Sequence, residues 1–166
     1  MIHRLARWRV PLGFVTALVA LVLARPTWPS FWIGLAVALP GELLRIWAAG
    51  HIEKGREITR SGPYRYVRHP LYLGSTLLGV GFVIAARSLP VAVLAAIYLG
   101  VTLLAAVRTE EATLNARFAG AYALYREGRA DPVARRFSLA RAWTNREYRA
   151  VAGLLVAFAW LALRTG

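Results

Sequence analysis

Long apolar runs alternate with short, Arg-rich polar stretches along the whole chain. Five runs stand out, at residues 10–24, 31–50, 71–86, 89–107 and 148–163. A helix that crosses the hydrocarbon core needs about 20 residues, because each residue rises only about 1.5 Å. The second and fourth runs meet that length. The first, third and fifth must borrow flanking residues such as Trp8 and Tyr148. The pattern therefore predicts an all-α, polytopic membrane bundle of about five transmembrane helices, organised as one domain over residues 1–166. Only Arg87 and Ser88 separate the third and fourth runs, which predicts an antiparallel hairpin. Pro90 then falls in the first turn of the fourth helix, where its missing N–H leaves no bond unmade.

Charge orients this set. The net charge is +13, with 21 Lys and Arg against 8 Asp and Glu. In a soluble protein that excess would suggest nucleic acid. Here the basic residues lie between apolar runs, so they read as positive-inside signals, and no nucleic-acid partner is expected. With the N-terminus in the cytoplasm, the inner segments hold Arg4, Arg7 and Arg9, then Lys54, Arg56, Arg60, Arg65 and Arg68, then nine Arg from Arg108 to Arg149. The opposite side holds only Arg25, Arg87 and Arg164, and Arg45 lies within the second helix. The expected protein is a multi-pass membrane protein with a cytoplasmic N-terminus, in the cytoplasmic membrane if the source is prokaryotic. Its C-terminus lies outside if the fifth run spans. The basic start followed by an apolar run could imitate a signal peptide. However, Arg25-Pro26-Thr27-Trp28-Pro29 follows in place of a small-residue cleavage site, which favours a first membrane helix. There is no Cys, so disulfides, thiolate metal sites and thiol nucleophiles are excluded. The outer loops are short. Sequence available for chemistry lies in residues 50–70 and 108–148, and a site should open to the cytoplasm.

Three groups of residues could carry chemistry. The first is the stretch from Thr59 to Gly74, with a Gly62-Pro63 turn and His69-Pro70 at the start of the third helix. Arg68 and His69 then sit at a helix N-terminus, whose free N–H groups favour an anion. Tyr64, Tyr66 and Tyr72 add aromatic faces that could stack on a purine or attract a cation. The competing reading is an interfacial Tyr and Arg belt. The second group is Arg108-Thr109-Glu110-Glu111 at the cytoplasmic end of the fourth helix, which could continue to about Tyr125. Adjacent residues on a helix point about 100° apart, so only one of the two carboxylates should face a given pocket. The third is Glu42 and Arg45 within the second helix. They are three apart and can pair, and ionisable groups at membrane depth are functional candidates. Arg45 could also line the pocket. Gly74, Gly79 and Gly81 suit close helix packing, and His51 reads as interfacial. Val133, Phe137, Ala140 and Trp143 stand among Arg residues between Asp131 and Arg149 and predict a helix lying on anionic lipid.

Arg68-His69-Pro70-Leu71-Tyr72-Leu73-Gly74, preceded by Ser61-Gly62-Pro63-Tyr64 and followed by Glu110-Glu111-Ala112-Thr113-Leu114, resembles the isoprenylcysteine carboxyl methyltransferase and phospholipid methyltransferase superfamily. The tract from Phe118 to Tyr125 is similar to that family's Phe-Gly-x-x-Tyr-x-x-Tyr pattern, and the resemblance covers roughly residues 41–132. It implies a pocket for S-adenosylmethionine on the cytoplasmic side. The cofactor contacts it implies are Ile58, Thr59, Tyr64, His69, Pro70, Leu71, Tyr72 and Glu110. Arg68, Arg108 and Glu111 are candidates for the catalytic set, and Arg45 and Arg108 for the substrate. The spacing of Arg108 departs from the family's pattern.

The expected substrate is lipidic and the partner a membrane lipid: either an isoprenylcysteine-type carboxylate or a phospholipid amine. A carboxylate is already ionised near neutrality and needs no base. An amine must lose a proton, and Glu110, Glu111 or His69 could take it. A sterol or enone reductase using NADPH also carries an Arg-His-Pro-x-Tyr helix start. Those enzymes tend to have Asp after the Gly, where this chain has Ser75. A non-enzymatic membrane scaffold is the third reading, supported by topology alone.

Overall fold

The computed structural model describes residues 2–53, 57–131 and 133–165, with the side chains of 2–11 and of Ala119 left aside. Lys54, Arg56 and Pro132 lie outside the described residues. The fold is all-helical. Its elements are α1 (Ile2–Leu23), α2 (Trp28–Ala49), a 3-10 turn η1 (Gly62–Arg65), α3 (Pro70–Ala86), α4 (Leu89–Arg126), α5 (Leu139–Thr144) and α6 (Tyr148–Leu163). Two of them, over Trp28–Ala49 and Leu89–Phe118, are long and apolar enough to cross a membrane.

Each boundary has a local cause. Thr27 caps α2 by accepting from the Ser30 N–H at 3.5 Å, and the Ser30 hydroxyl accepts in return from the Thr27 N–H at 3.0 Å. This reciprocal box satisfies donors that a helix start otherwise leaves open. Arg87 closes α3 with a left-handed φ of 46°, and Ser88 begins α4 at once. The fourth helix runs on past the apolar segment to Arg126, which carries the Glu pair and the Phe118–Tyr125 tract out of the apolar zone on a rigid rod.

The core contact is α2 against α3. Gly34 and Gly41 on α2 face Gly81 and Gly74 on α3, and a Cβ on any of them would come within 2.8 Å of the other helix. Removing side chains at a seven-residue spacing lets the two backbones touch, the usual means of packing helices where water provides no drive. Ala38, Ala85, Ala86, Val91, Phe31 and Phe158 fill the space around this seam. By contrast, α3 and α4 splay from their short turn, leaving an apolar groove of about 610 Å3 between them.

The bundle has two chemically distinct ends. At one, the Arg25 N–H donates to the Ala86 carbonyl at 2.8 Å, and Arg164 donates to the carbonyls of Leu21 and Val22. At the other lie residues 57–69, the end of α4 and a strap formed by residues 133–147.

That strap corrects two sequence expectations. Only Leu139–Thr144 is helical there, in place of a continuous amphipathic helix. The cause is that two of its arginines turn inward. Arg135 pairs with Glu57 at 2.6 Å and Glu53 at 3.6 Å, and Arg141 donates to the Gly50 carbonyl at 2.8 Å. Asn145 donates to the Ala49 and Ile52 carbonyls, so the strap satisfies carbonyls that α2 leaves open at its end. Phe137, Leu139 and Trp143 stay exposed. The second correction is His51. It is buried rather than interfacial, with Nδ1 3.0 Å from the Ser61 hydroxyl.

Candidate active site

A cavity of about 1020 Å3 opens where residues 57–69, α3, α4 and the start of α6 converge. The Gly-Pro turn shapes its roof. Gly62 adopts φ +57°, and a Cβ there would sit 2.5 Å from the His51 ring; both facts require glycine. The turn delivers Ile58, Thr59 and Tyr64 to the cavity wall, all three buried. The Thr59 and Tyr64 hydroxyls are buried with no hydrogen-bond partner among the described residues. Native interiors rarely leave such groups unmet, so a polar wall of this kind suits a polar ligand.

His69 caps α3, and Pro70 behind it is fully buried. The His69 ring stacks on Tyr72 at 5.6 Å. Its Nε2 is 3.2 Å from Glu111 and its Nδ1 3.8 Å from Glu110, so one imidazole lies between the two carboxylates. Arg68 adds a longer pair to Glu111, at 3.7 Å. Glu110, Arg68, Leu71 and Tyr72 line the cavity, while Glu111 lines neither space and His69 faces the apolar groove between α3 and α4. Tyr72 borders both spaces.

Tyr122 and Tyr125 support this corner from the end of α4. The Tyr125 hydroxyl donates to the Tyr64 carbonyl at 2.8 Å. Burial pushes the Tyr64 hydroxyl up, as it does that of Tyr122, where the carboxylate of Glu111 adds to the effect. Burial, then the neighbouring Tyr122, push Tyr125 up to about 12. All three phenols therefore stay protonated near neutrality and act as donors or aromatic faces.

The structure brings Arg45, Ile58, Thr59, Tyr64, Arg68, Leu71, Tyr72 and Glu110 to one cavity, whereas His69 faces the neighbouring groove and Pro70, Glu111 and Arg108 line neither space. Arg108 is exposed and lines neither space, because it points to the outer side of α4. Arg45 is present on the wall, but its charge is engaged. It lies 2.7 Å from Glu147 and 3.7 Å from Glu42, and its Nη1 donates to the Leu71 carbonyl and the Ser75 hydroxyl. Sequence reading missed Glu147, Asn145 and Arg146, which reach the site from the α5–α6 turn. A faint signal was available: Glu147 is a carboxylate directly before an apolar run, within an Arg-rich stretch. Among the described residues, no group of three or more His, Cys, Asp or Glu is placed to hold a metal ion.

Much of the chain that lines this site matches a known family. Residues 45–121 fit the model of the phospholipid methyltransferase family, consistent with the superfamily that the Arg-His-Pro and Glu-Glu motifs resemble. The matched segment is just under half of the chain, and two helices among the described residues are long and apolar enough to cross a membrane. The chain is also 31% identical over 125 residues to the nickel-cobalt-cadmium resistance protein NccN of Alcaligenes xylosoxydans xylosoxydans, covering 70% of this chain and 58% of that one. It is 31% identical over 128 residues to the cobalt-zinc-cadmium resistance protein CzcN of Cupriavidus metallidurans, covering 70% and 57%. The chain thus spans less than two thirds of the length of these relatives. No solved structure matches it.

Proposed function

We propose that this chain is an S-adenosylmethionine-dependent methyltransferase that acts on a lipidic substrate at the cytoplasmic face of the membrane. The observation that carries the reading is the mixed lining of the large cavity. It includes the polar Thr59, Tyr64, Arg68 and Glu110, and the apolar Leu12 of α1 with Leu94, Ile97 and Val101 of α4. A polar cofactor and a lipid tail need both kinds of surface.

The residues present fit the cofactor. The unpartnered hydroxyls of Thr59 and Tyr64 suit its polar atoms. Arg68, beside the start of α3, suits a carboxylate. Glu110 suits an ammonium or ribose hydroxyls, and Tyr64 and Tyr72 offer faces to adenine or to a positive sulfur. S-adenosylmethionine supplies an electrophilic methyl group on a sulfonium. What remains for the protein is to align the acceptor and exclude water, and positioning of this kind can account for much of a rate enhancement. An amine acceptor would pass its proton to Glu110, or to Glu111 through His69; a carboxylate acceptor would need neither.

The test is titration of the purified protein with S-adenosylmethionine and with NADPH, followed by a radiolabelled methyl-donor assay on lipid extract. Binding of the first and label in the lipid fraction are expected. Glu110→Gln and His69→Ala should each weaken cofactor binding by at least about 1–3 kcal/mol, the scale of losing a charged hydrogen-bond partner. Binding of NADPH alone would replace this reading with the reductase.

A further inference from the structure

We infer that Glu147, outside the segment shared with the family, is a positioning residue of this site, holding Arg45 against the first turn of α3 and so setting the His69-to-Tyr72 turn. The inference rests on the methyltransferase reading above.

Glu147 caps α6, and its side chain is only 8% exposed. It is turned inward by the residue before it. Arg146 has a left-handed φ of 62°, an uncommon state for a residue with a Cβ that persists only where surrounding contacts impose it. The reversal ends α5, starts α6 and points the Glu147 carboxylate at the cavity wall, where Oε1 lies 2.7 Å from Arg45 Nε. The same guanidinium reaches the other way. Its Nη1 donates to the Leu71 carbonyl at 3.4 Å and to the Ser75 hydroxyl, which itself donates to Leu71 at 2.9 Å.

The result is an ion pair from α6 to α2, extended by the Arg45 hydrogen bonds to the first turn of α3. Leu71 and Tyr72 both line the proposed binding space, and His69, just before them, faces the adjoining groove. A buried guanidinium that loses its carboxylate must find another anion or draw in water. The anions nearest to it are then Glu42, buried within α2 and 3.7 Å away, and whatever ligand the cavity holds. Without Glu147, Arg45 would turn from Leu71 and Ser75 toward one of these, and the start of α3 would lose its tether.

The experiment compares wild type, Glu147→Gln, Glu147→Asp, Arg45→Gln and the Glu147→Gln/Arg45→Gln double variant. For each, S-adenosylmethionine affinity and the rise in Tm that the cofactor produces are measured. Glu147→Gln should weaken affinity about tenfold, the order of one lost charged partner, and shrink the cofactor-induced rise in Tm. Glu147→Asp should recover most of the loss, and the double variant should be no worse than Arg45→Gln alone. A merely structural role would lower Tm with and without cofactor alike and leave the rise unchanged. That result, or multiplicative losses in the double variant, would overturn the inference while leaving the methyltransferase reading intact. If Glu147→Gln does not fold, the Glu147→Asp and double variants carry the comparison. Wild type that binds no S-adenosylmethionine would end both readings.

Discussion

A Cβ placed on Gly34 would stand 2.4 Å from the Gly81 carbonyl oxygen, and one placed on Gly81 would stand 2.5 Å from the Gly34 oxygen. The two helices therefore meet backbone to backbone, with no room for a single methyl group on either side. Gly81→Ala should destabilise the protein by about 1–3 kcal/mol, the usual penalty for overpacking a filled interior. Gly100→Ala is the control. A Cβ there meets nothing within 4 Å, and alanine in a helix gains roughly 0.5–1 kcal/mol over glycine. Thermal unfolding in detergent should move the two Tm values in opposite directions. Equal shifts would mean that the seam is not closed.

The relation of His51 to its neighbours makes stability depend on pH. Burial, then the charges of Arg141 and Arg135, lower its pKa from 6.5 in the folded protein. The unfolded chain thus binds a proton that the folded chain refuses. Stability rises with pH wherever the unfolded state binds more protons. The contribution is complete above about 6.5 and is lost as pH falls toward the lowered folded value. His51→Gln should flatten that acidic limb in a plot of Tm against pH. An unchanged limb would assign the dependence to other groups.

Much of this architecture was legible because it follows from the order of residue types along the chain. The apolar run at 71–86 becomes α3 at Pro70–Ala86, and the run at 148–163 becomes α6 at Tyr148–Leu163. His69-Pro70 starts a helix because Pro suits its first turn, and Glu110 and Glu111 sit on a helix because α4 continues through them. What could not be read depends on partners distant in sequence. Arg135 and Arg141 look like lipid-facing charges until Glu53, Glu57 and the end of α2 are placed beside them. Arg108 looks like a neighbour of the Glu pair, yet its direction on α4 carries it outside both spaces. Glu147 joins Arg45 across about a hundred residues of chain, which no local periodicity records.

Sidedness can be measured directly, because the chain has no Cys. Tyr66 and Glu127 are exposed at the site end of the bundle, and Leu89 is exposed at the other end. Single-cysteine variants at Tyr66 and Glu127 should be protected from an impermeant thiol reagent in intact cells and should react after permeabilisation. Leu89→Cys should react in intact cells. The opposite pattern would place the cavity outside and remove its access to a soluble cofactor.

The buried charges around Arg45 give the sharpest test of what holds the bundle together. One guanidinium stands between two buried carboxylates, Glu147 at 2.7 Å and Glu42 at 3.7 Å. Removing a single partner from such a set typically costs about 3–5 kcal/mol, because the charge left behind remains buried. Arg45→Leu should therefore be the most damaging single change, since it strands both acids. Adding Glu147→Gln should recover more stability than adding Glu42→Gln, because the shorter pair leaves the more strongly coupled charge behind. Chemical or thermal unfolding of the three variants in one detergent decides the order. If neither second change recovers stability, the ion pairs contribute little and the seam of glycines must hold α2 in place without them. If Glu42→Gln recovers more than Glu147→Gln, the pairing within α2 outweighs the link to α6, and the tether proposed for the first turn of α3 loses its anchor.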